Sequence, residues 1–309
     1  MPPLADARPA SRFLDMRALS SVSHMRFATR HRIEGSYSGR HRSRQRGGSA
    51  EFVDYREYSG GEDLRRIDWK VLGRTGRPYV RLYQDETNLL CTMLVDASRS
   101  MQFAGAEGAA DQSKLAYVQR LSTAMSQVIG GQRDQVGLAV AADGLVEMIP
   151  PAGTPTHVWR VQRAIEQLAD GKRPTSTDLA AALRTLSDRP GRRGVLVLMS
   201  DLLVDDLEPV FANVRLFRHR RWEVVVLHVV HPEEERLPTG NAWRFEGMED
   251  DGVVDCSPAD VARAYEAAFE AHAASVRALA LAAGCDYRRV STNVPYLQTL
   301  GTFLVERTG

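Results

Sequence analysis

Cysteine is scarce in this chain. Three thiols, Cys91, Cys256 and Cys285, are spread over 309 residues, and no two form a CxxC pair. That spacing argues against a disulfide framework and a thiolate zinc site, and it predicts reduced, structural thiols. Long hydrophobic runs are also missing. Nothing approaches the roughly 18 uninterrupted apolar residues a membrane span needs, and the opening MPPLADARPASRFLDMRALSSVSHM has no apolar signal core. The expectation is a soluble cytoplasmic protein without direct membrane insertion. An excess of one charge is absent too: Lys+Arg 40 against Asp+Glu 39 leaves no global field to steer nucleic acid. Sparse aromatics in the arginine-rich start argue further against specific nucleic-acid binding.

The usual catalytic signatures are lacking as well. No GxxxxGK[ST] or GxGxxG phosphate loop follows the first apolar strand, so any ATP hydrolysis has to come from a partner. The eight histidines form no HExxH, and His228 and His231, flanking a strand end, read as packing or hydrogen-bonding residues. There is no GxSxG elbow to activate a serine.

What is present begins with an uneven distribution of charge. Nine arginines and two acids lie between Arg12 and Arg46. With SYSGRHRSRQRGGSA as its most loop-like part, the stretch 1–50 reads as a flexible arginine-rich arm. Residues 51–87 alternate charges with Tyr55, Tyr58, Ile67, Trp69, Val71 and Leu72, too regularly for disorder, and read as an extension packing on the main domain. Within it Asp63, Arg65, Arg66 and Asp68 suit an ion-pair network around Trp69. Arg65, Arg66, Asp68 and Trp69 are also the candidate interface residues.

Residues 88–309 carry a βα rhythm. Leu89–Val95, Gly194–Asp201 and the EVVVLHVV run are continuous apolar strands. Between them Leu115, Val118, Leu121, Met125, Val128 and Ile129 recur at helical spacing, and Gly130-Gly131 stops that helix. VGLAVAADGLVEMIP predicts a strand, a tight Asp143-Gly144 turn and a short second strand. Further helices are expected around Val158–Leu168, from Leu179, over LEPVFANVRLFRH and from Pro258 to Ala283, with a final strand over Cys285–Val290. Apolar strands separated by helices imply an α/β domain with a doubly wound, mostly parallel sheet. Ligands gather at the carboxyl ends of such strands, near a change in strand order.

Two strand ends carry acids. In VDASRSM, Asp96, Ser98 and Ser100 alternate as the strand gives way to a loop, and Asp201 closes LVLMSD. One carboxylate and small neutral hydroxyls suit Mg2+, or Mn2+ with its overlapping oxygen preference. Thr177, before the ALRTL helix, supplies another hydroxyl, with Thr175, Ser176 and Asp178 as competitors because each can cap that helix. Asp96, Ser98 and Ser100 are assigned to direct coordination, Thr177 to direct or water-mediated contact, and Asp201 to contact through water. With more hydroxyls than carboxylates the ion keeps positive charge and can accept an Asp or Glu from a protein partner. The alternatives are a Mg2+-dependent hydrolase or phosphatase with Asp96 as nucleophile, and a structural adaptor with a vestigial site.

This set resembles the metal-ion-dependent adhesion site of von Willebrand factor A domains, a DxSxS followed by separated Thr and Asp positions. The broader pattern resembles the DUF58 family from about Gly35 onward: GSYSGRHRSRQRGGSAEFVDYREYSGGEDLRRIDWKVLGR, VDASRSM, VGLAV, LVLMSD and HPEEERLP. Gly61-Glu62-Asp63 departs mildly from that family's glycine-aspartate pair. The resemblance implies a von Willebrand factor A-like (Rossmann-like) fold, metal-mediated binding of a partner carboxylate, and an adaptor role. The implied partners are a MoxR-like AAA+ ATPase or associated von Willebrand factor A-type proteins.

Overall fold

The computed structural model describes residues 11–15, 19–22, 25–28, 50–60, 64–85, 89–168, 178–189, 193–240, 242–248 and 252–308. The chain divides into two compact units: residues 30–88, and a larger one joining residues 1–29 to 89–309.

In the smaller unit β1 (Ala50–Glu57) pairs antiparallel with β2 (Tyr79–Asp85), with a register shift between Phe52 and Asp54. A 3-10 turn (Leu64–Arg66) and helix α1 (Trp69–Thr75) lie between the strands. Asp68 is buried and caps α1: its Oδ1 accepts from the Lys70 and Val71 amides at 3.0 and 3.3 Å, and the Tyr55 hydroxyl donates to Oδ2 at 3.2 Å. Trp69 is 62 % exposed. Of the four residues suited to an ion-pair network around Trp69, the described contacts bear on Asp68. Asp68 acts as the helix cap, because the unpaired amides at a helix start favour a carboxylate acceptor. Asp63 and the side chain of Arg66 lie outside the described residues.

The larger unit is built on a six-stranded sheet ordered β10-β7-β6-β3-β4-β5. Its strands are β3 (Leu90–Asp96), β4 (Gln135–Ala142), β5 (Gly144–Ala152), β6 (Val195–Ser200), β7 (Glu223–Val230) and β10 (Asp286–Ser291). All neighbours are parallel except β4 and β5, whose tight turn uses Gly144 at φ 83. β3, β6 and β7 are almost wholly apolar and buried, as strands covered on both faces must be.

Among the described residues six helices cover the sheet or follow its strands: α2 (Lys114–Gly131), α3 (Pro155–Gln167), α4 (Leu179–Ser187), α5 (Leu207–His219), α7 (Pro258–Ala282) and α8 (Tyr296–Thr308). Leu94, Ala139, Leu198 and Val226 pack with Leu183 of α4, Phe211 of α5 and Val276 of α7 in one core cluster. Side chains alternate along a strand, so Met93, Val95, Leu138 and Val197, also buried, point to the opposite face. There α2 packs with α3 and α8. The doubly wound, mostly parallel α/β architecture is thus present. No helix among the described residues is long and apolar enough to cross a membrane.

Three features differ from the sequence reading. The described residues within 11–28 are not an open arm: Ser11, Leu19, Val22 and Phe27 are buried. Glu166 receives the Ser11 hydroxyl at 2.5 Å and the Arg12 amide at 2.7 Å, so isolated apolar residues and backbone bonds anchor an otherwise polar stretch. The chain also continues past β10 into α8, and a small hairpin, β8 (Trp243–Glu246) with β9 (Val253–Cys256), precedes α7.

Burial pushes the thiols of Cys91 and Cys285 up to about 12, whereas Cys256 sits half-buried on β9. The thiolate is the reactive form. Native labelling with a thiol reagent should therefore modify Cys256 alone, the other two following only on denaturation. Rapid labelling of Cys91 in the folded protein would contradict this burial.

Candidate metal centre

β3 and β6 run side by side in parallel, with Val95 opposite Met199. Strand order reverses here: the chain steps from β3 to β4 on one side and reaches β6 on the other. Crevices open at such switch points, beyond the carboxyl ends of the strands. Asp96 and the Ser200-Asp201 pair occupy those two ends.

Asp96 is 2 % exposed. Its Oδ1 accepts the Ser98 amide at 2.9 Å and its Oδ2 the Ser200 hydroxyl at 2.5 Å. Burial, then the nearby Asp201 charge, push its carboxyl from the ordinary 3.8 up to about 6, although hydrogen bonds from Ser200 and Ser98 pull the other way. The Oγ atoms of Ser98 and Ser100 lie 2.9 Å apart. Adjacent oxygens around Mg2+, each about 2.0–2.1 Å from the ion, are separated by about the same distance. The two hydroxyls are hydrogen-bonded to each other at this distance, a spacing that is also compatible with two adjacent ligands of one divalent ion.

Asp201 joins this group. Ser100 hydrogen-bonds to its carboxylate, its Oδ1 accepts the Leu203 amide at 3.2 Å, and its Oδ2 accepts Lys114 Nζ at 2.6 Å. Burial alone would raise the Asp201 carboxyl, but the Lys114 ammonium holds it below its ordinary value. Leu202, which follows, is buried with φ 53. A branched residue in that left-handed region costs on the order of 1–2 kcal/mol, and such strain gathers at functional sites. The Ser200 hydroxyl accepts the Leu202 amide at 2.9 Å and helps to hold the turn.

The structure therefore brings together Asp96, Ser98, Ser100 and Asp201. Thr177 lies outside the described residues, as do Thr175 and Ser176, while Asp178 caps α4 through the Ala181 amide at 2.7 Å. Among the described residues no three His, Cys, Asp or Glu gather as a metal cluster. The oxygen set of carboxylates and small hydroxyls suits a divalent ion that takes oxygen ligands. His228 and His231 are engaged elsewhere. His228, its titration lowered to about 4 by burial, bonds the Tyr287 hydroxyl at 2.9 Å and the backbone of Asp201. The ring of His231 accepts the Glu233 amide at 3.2 Å and caps the short helix α6 (Pro232–Glu235).

Sequence reasoning missed two residues here. Lys114, the first residue of α2, is fully buried and also pairs with Glu234 of α6. A signal existed for the lysine: it stands four, seven and eleven residues before Val118, Leu121 and Met125, on the stripe that faces the core. Glu234 stands in the HPEEERLP stretch that carries the family resemblance, but nothing in that stretch points to the lysine, since only the fold brings the two together. Beside it Glu233 accepts the Ala106 amide at 2.9 Å. Gly105, at φ 83, makes room there, because a Cβ would run into the Glu233 side chain.

The chain is similar to an uncharacterized protein of Mycobacterium bovis, 26 % identical over 226 residues that span 72 % of this chain and 68 % of the relative. Among solved structures it is similar to a conserved hypothetical protein, BatB, from Bacteroides thetaiotaomicron, at 14 % identity over 72 % of this chain and 99 % of that one, with a TM-score of 0.46. An aerotolerance-related membrane protein from Bacteroides fragilis is 17 % identical over 71 % of this chain and 100 % of that one, with a TM-score of 0.48. The profile described as protein of unknown function DUF58 matches residues 54–277, well over half of the chain, and the protein belongs to that family.

Proposed function

We propose that this protein is a metal-dependent protein-interaction module with a von Willebrand factor A-like domain. In this reading Asp96, Ser98 and Ser100 hold Mg2+ directly, Thr177 assists, and Asp201 acts through water. The ion, when bound, supplies a Lewis-acidic position for an Asp or Glu of a partner. The chain's own part is to pre-set its oxygens: β3 fixes Asp96, the loop after it presents both hydroxyls, and the strained turn at Leu202 aims Asp201. The observation that carries the reading is the 2.9 Å pair of serine hydroxyls beside a buried carboxylate at the switch point. As partner we propose a cytoplasmic MoxR-like AAA+ ATPase or an associated von Willebrand factor A-type protein, for which this chain serves as adaptor.

The test compares wild type with Ser98→Ala plus Ser100→Ala. Titration calorimetry with Mg2+ should show saturable uptake by wild type and a loss of about 10–100-fold or more in the double variant, with both melting alike in EDTA. Capture of the ATPase should require Mg2+ and fail in the variant. Equal capture in Mg2+ and EDTA would sink the reading. Hydrolysis through Asp96 has weaker support, because Asp201, the acid whose charge acts on it, is already bound by Lys114.

A further inference from the structure

Lys114 stands where a lysine is disfavoured twice. It is the first residue of α2, at the positive end of the helix dipole, and its side chain is 0 % exposed. Asp201 and Glu234 compensate for this. Nζ donates to Asp201 Oδ2 at 2.6 Å and to Glu234 Oε1. Glu234 is itself pinned, its other oxygen accepting the His231 amide at 2.9 Å. The ammonium thus ties together the start of α2, the end of β6 and α6, within the shell behind Asp96, Ser98 and Ser100. Because Ser100 also bonds to Asp201, the lysine is one side chain away from the oxygens assigned to the ion.

We propose that Lys114 is a specificity-determining residue of this centre: its ammonium is a resident cation that binds Asp201, restrains it from closing on a divalent ion, and keeps the ion receptive to an outside carboxylate. The inference rests on the metal-binding reading above. Lys114 sets one positive charge directly against the carboxylates of Asp201 and Glu234, and so offsets part of the negative charge gathered behind the ion's position. Without the ammonium the loaded centre would be more negative and less receptive to an incoming acid. Outer partners that orient and tune metal ligands commonly change metal affinity by about 10–100-fold. This one acts in an unusual direction, because its charge opposes the ion while its hydrogen bond fixes the ligand.

The experiment uses four full-length proteins: wild type, Lys114→Met, Glu234→Gln, and the two changes combined. Each is checked for folding by thermal melting. Free Mn2+ is followed by electron paramagnetic resonance, and acetate uptake by the loss of water-proton relaxation at bound Mn2+. In each pair differing only at position 114, the methionine form should bind Mn2+ about 10–100-fold tighter and take acetate more weakly. Glu234→Gln alone should bind Mn2+ more loosely than wild type. Tighter Mn2+ binding alone would follow from the loss of any nearby positive charge, so the specificity role requires both changes together, tighter Mn2+ and weaker acetate uptake at saturating Mn2+. If Lys114→Met does not fold, the Glu234→Gln pair carries the comparison. If neither methionine form folds, Mn2+ binding by Glu234→Gln as tight as wild type overturns the inference. Wild-type Mn2+ binding that is unchanged or weakened by methionine in the folded pairs overturns it while leaving the metal reading intact. No Mn2+ binding by any folded form overturns both.

Discussion

Asp96→Asn should make the metal-free protein more stable while abolishing its response to Mg2+. The wild-type carboxylate is buried beside Asp201, and burial first, then that neighbour, raise its carboxyl from 3.8 to about 6. The folded state thus holds the proton more tightly than the unfolded chain does. Stability from this group is fully present below pH about 4 and is lost as pH rises through about 6. At neutral pH the deficit is on the order of 2–3 kcal/mol. Asparagine removes the charge, keeps an acceptor for the Ser98 amide, and lets the Ser200 hydroxyl reverse its role. In EDTA the variant should melt higher than wild type at pH 7, with a much smaller gap at pH 4.

Mg2+ should reverse that order. An ion bound only by the folded state stabilises it by RT ln(1 + [L]/Kd), about 2.7 kcal/mol at a hundredfold excess over Kd. Wild type should gain this increment and the variant none. A variant that melts lower than wild type in EDTA would show that Asp96 is there for structure, and the reading of a strained, ion-awaiting carboxylate would fail. A phosphatase signal of equal size in both proteins would dispose of Asp96 as a nucleophile at the same time.

The sheet was legible because its central strands are apolar throughout. Leu90–Asp96, Val195–Ser200 and Glu223–Val230 leave no room for a half-exposed alternative. The ends of those strands were legible for the same reason, since Asp96 and Asp201 interrupt runs that otherwise admit no charge. β1 was harder: AEFVDYRE mixes charge and aromatics on both faces and has no clean period. Helix α8 had a readable stripe, Leu300, Phe303, Leu304 and Arg307, but the arginine disguised its last core position. Lys114 and Glu234 were out of reach together. Lys114 lies on the core-facing stripe of α2, but its partner is 120 residues away and no periodicity links the two. Their meeting follows from the doubly wound order, which sets the start of α2 against the loop after β7.

Arg307→Met should be the most damaging of these substitutions. The side chain is 0 % exposed, with Nη2 2.7 Å from Glu223 Oε1 and Nη1 3.8 Å from Asp286 Oδ2. Nε donates to the Ala28 carbonyl at 2.7 Å, and the guanidinium lies 5.0 Å over the Phe27 ring and 5.3 Å over that of Phe303. One residue of α8 therefore joins the sheet edge formed by β7 and β10 to the amino-terminal segment. Removing one partner of a buried ion pair leaves the other charge uncompensated and costs about 3–5 kcal/mol. At about 2–4 °C per kcal/mol for a domain of this size, melting should fall by roughly 10 °C. Adding Glu223→Gln to Arg307→Met should recover a large part of the loss, since the stranded carboxylate is the main penalty and residues in contact do not act additively. Hydrogen exchange at the Phe27 amide, which bonds Gln132 Oε1 at 3.0 Å, should accelerate in the single variant because the segment loses its second anchor. Melting within about 2 °C of wild type would mean that α8 is held by Leu300, Phe303 and Leu304 alone and that the arginine is a passenger.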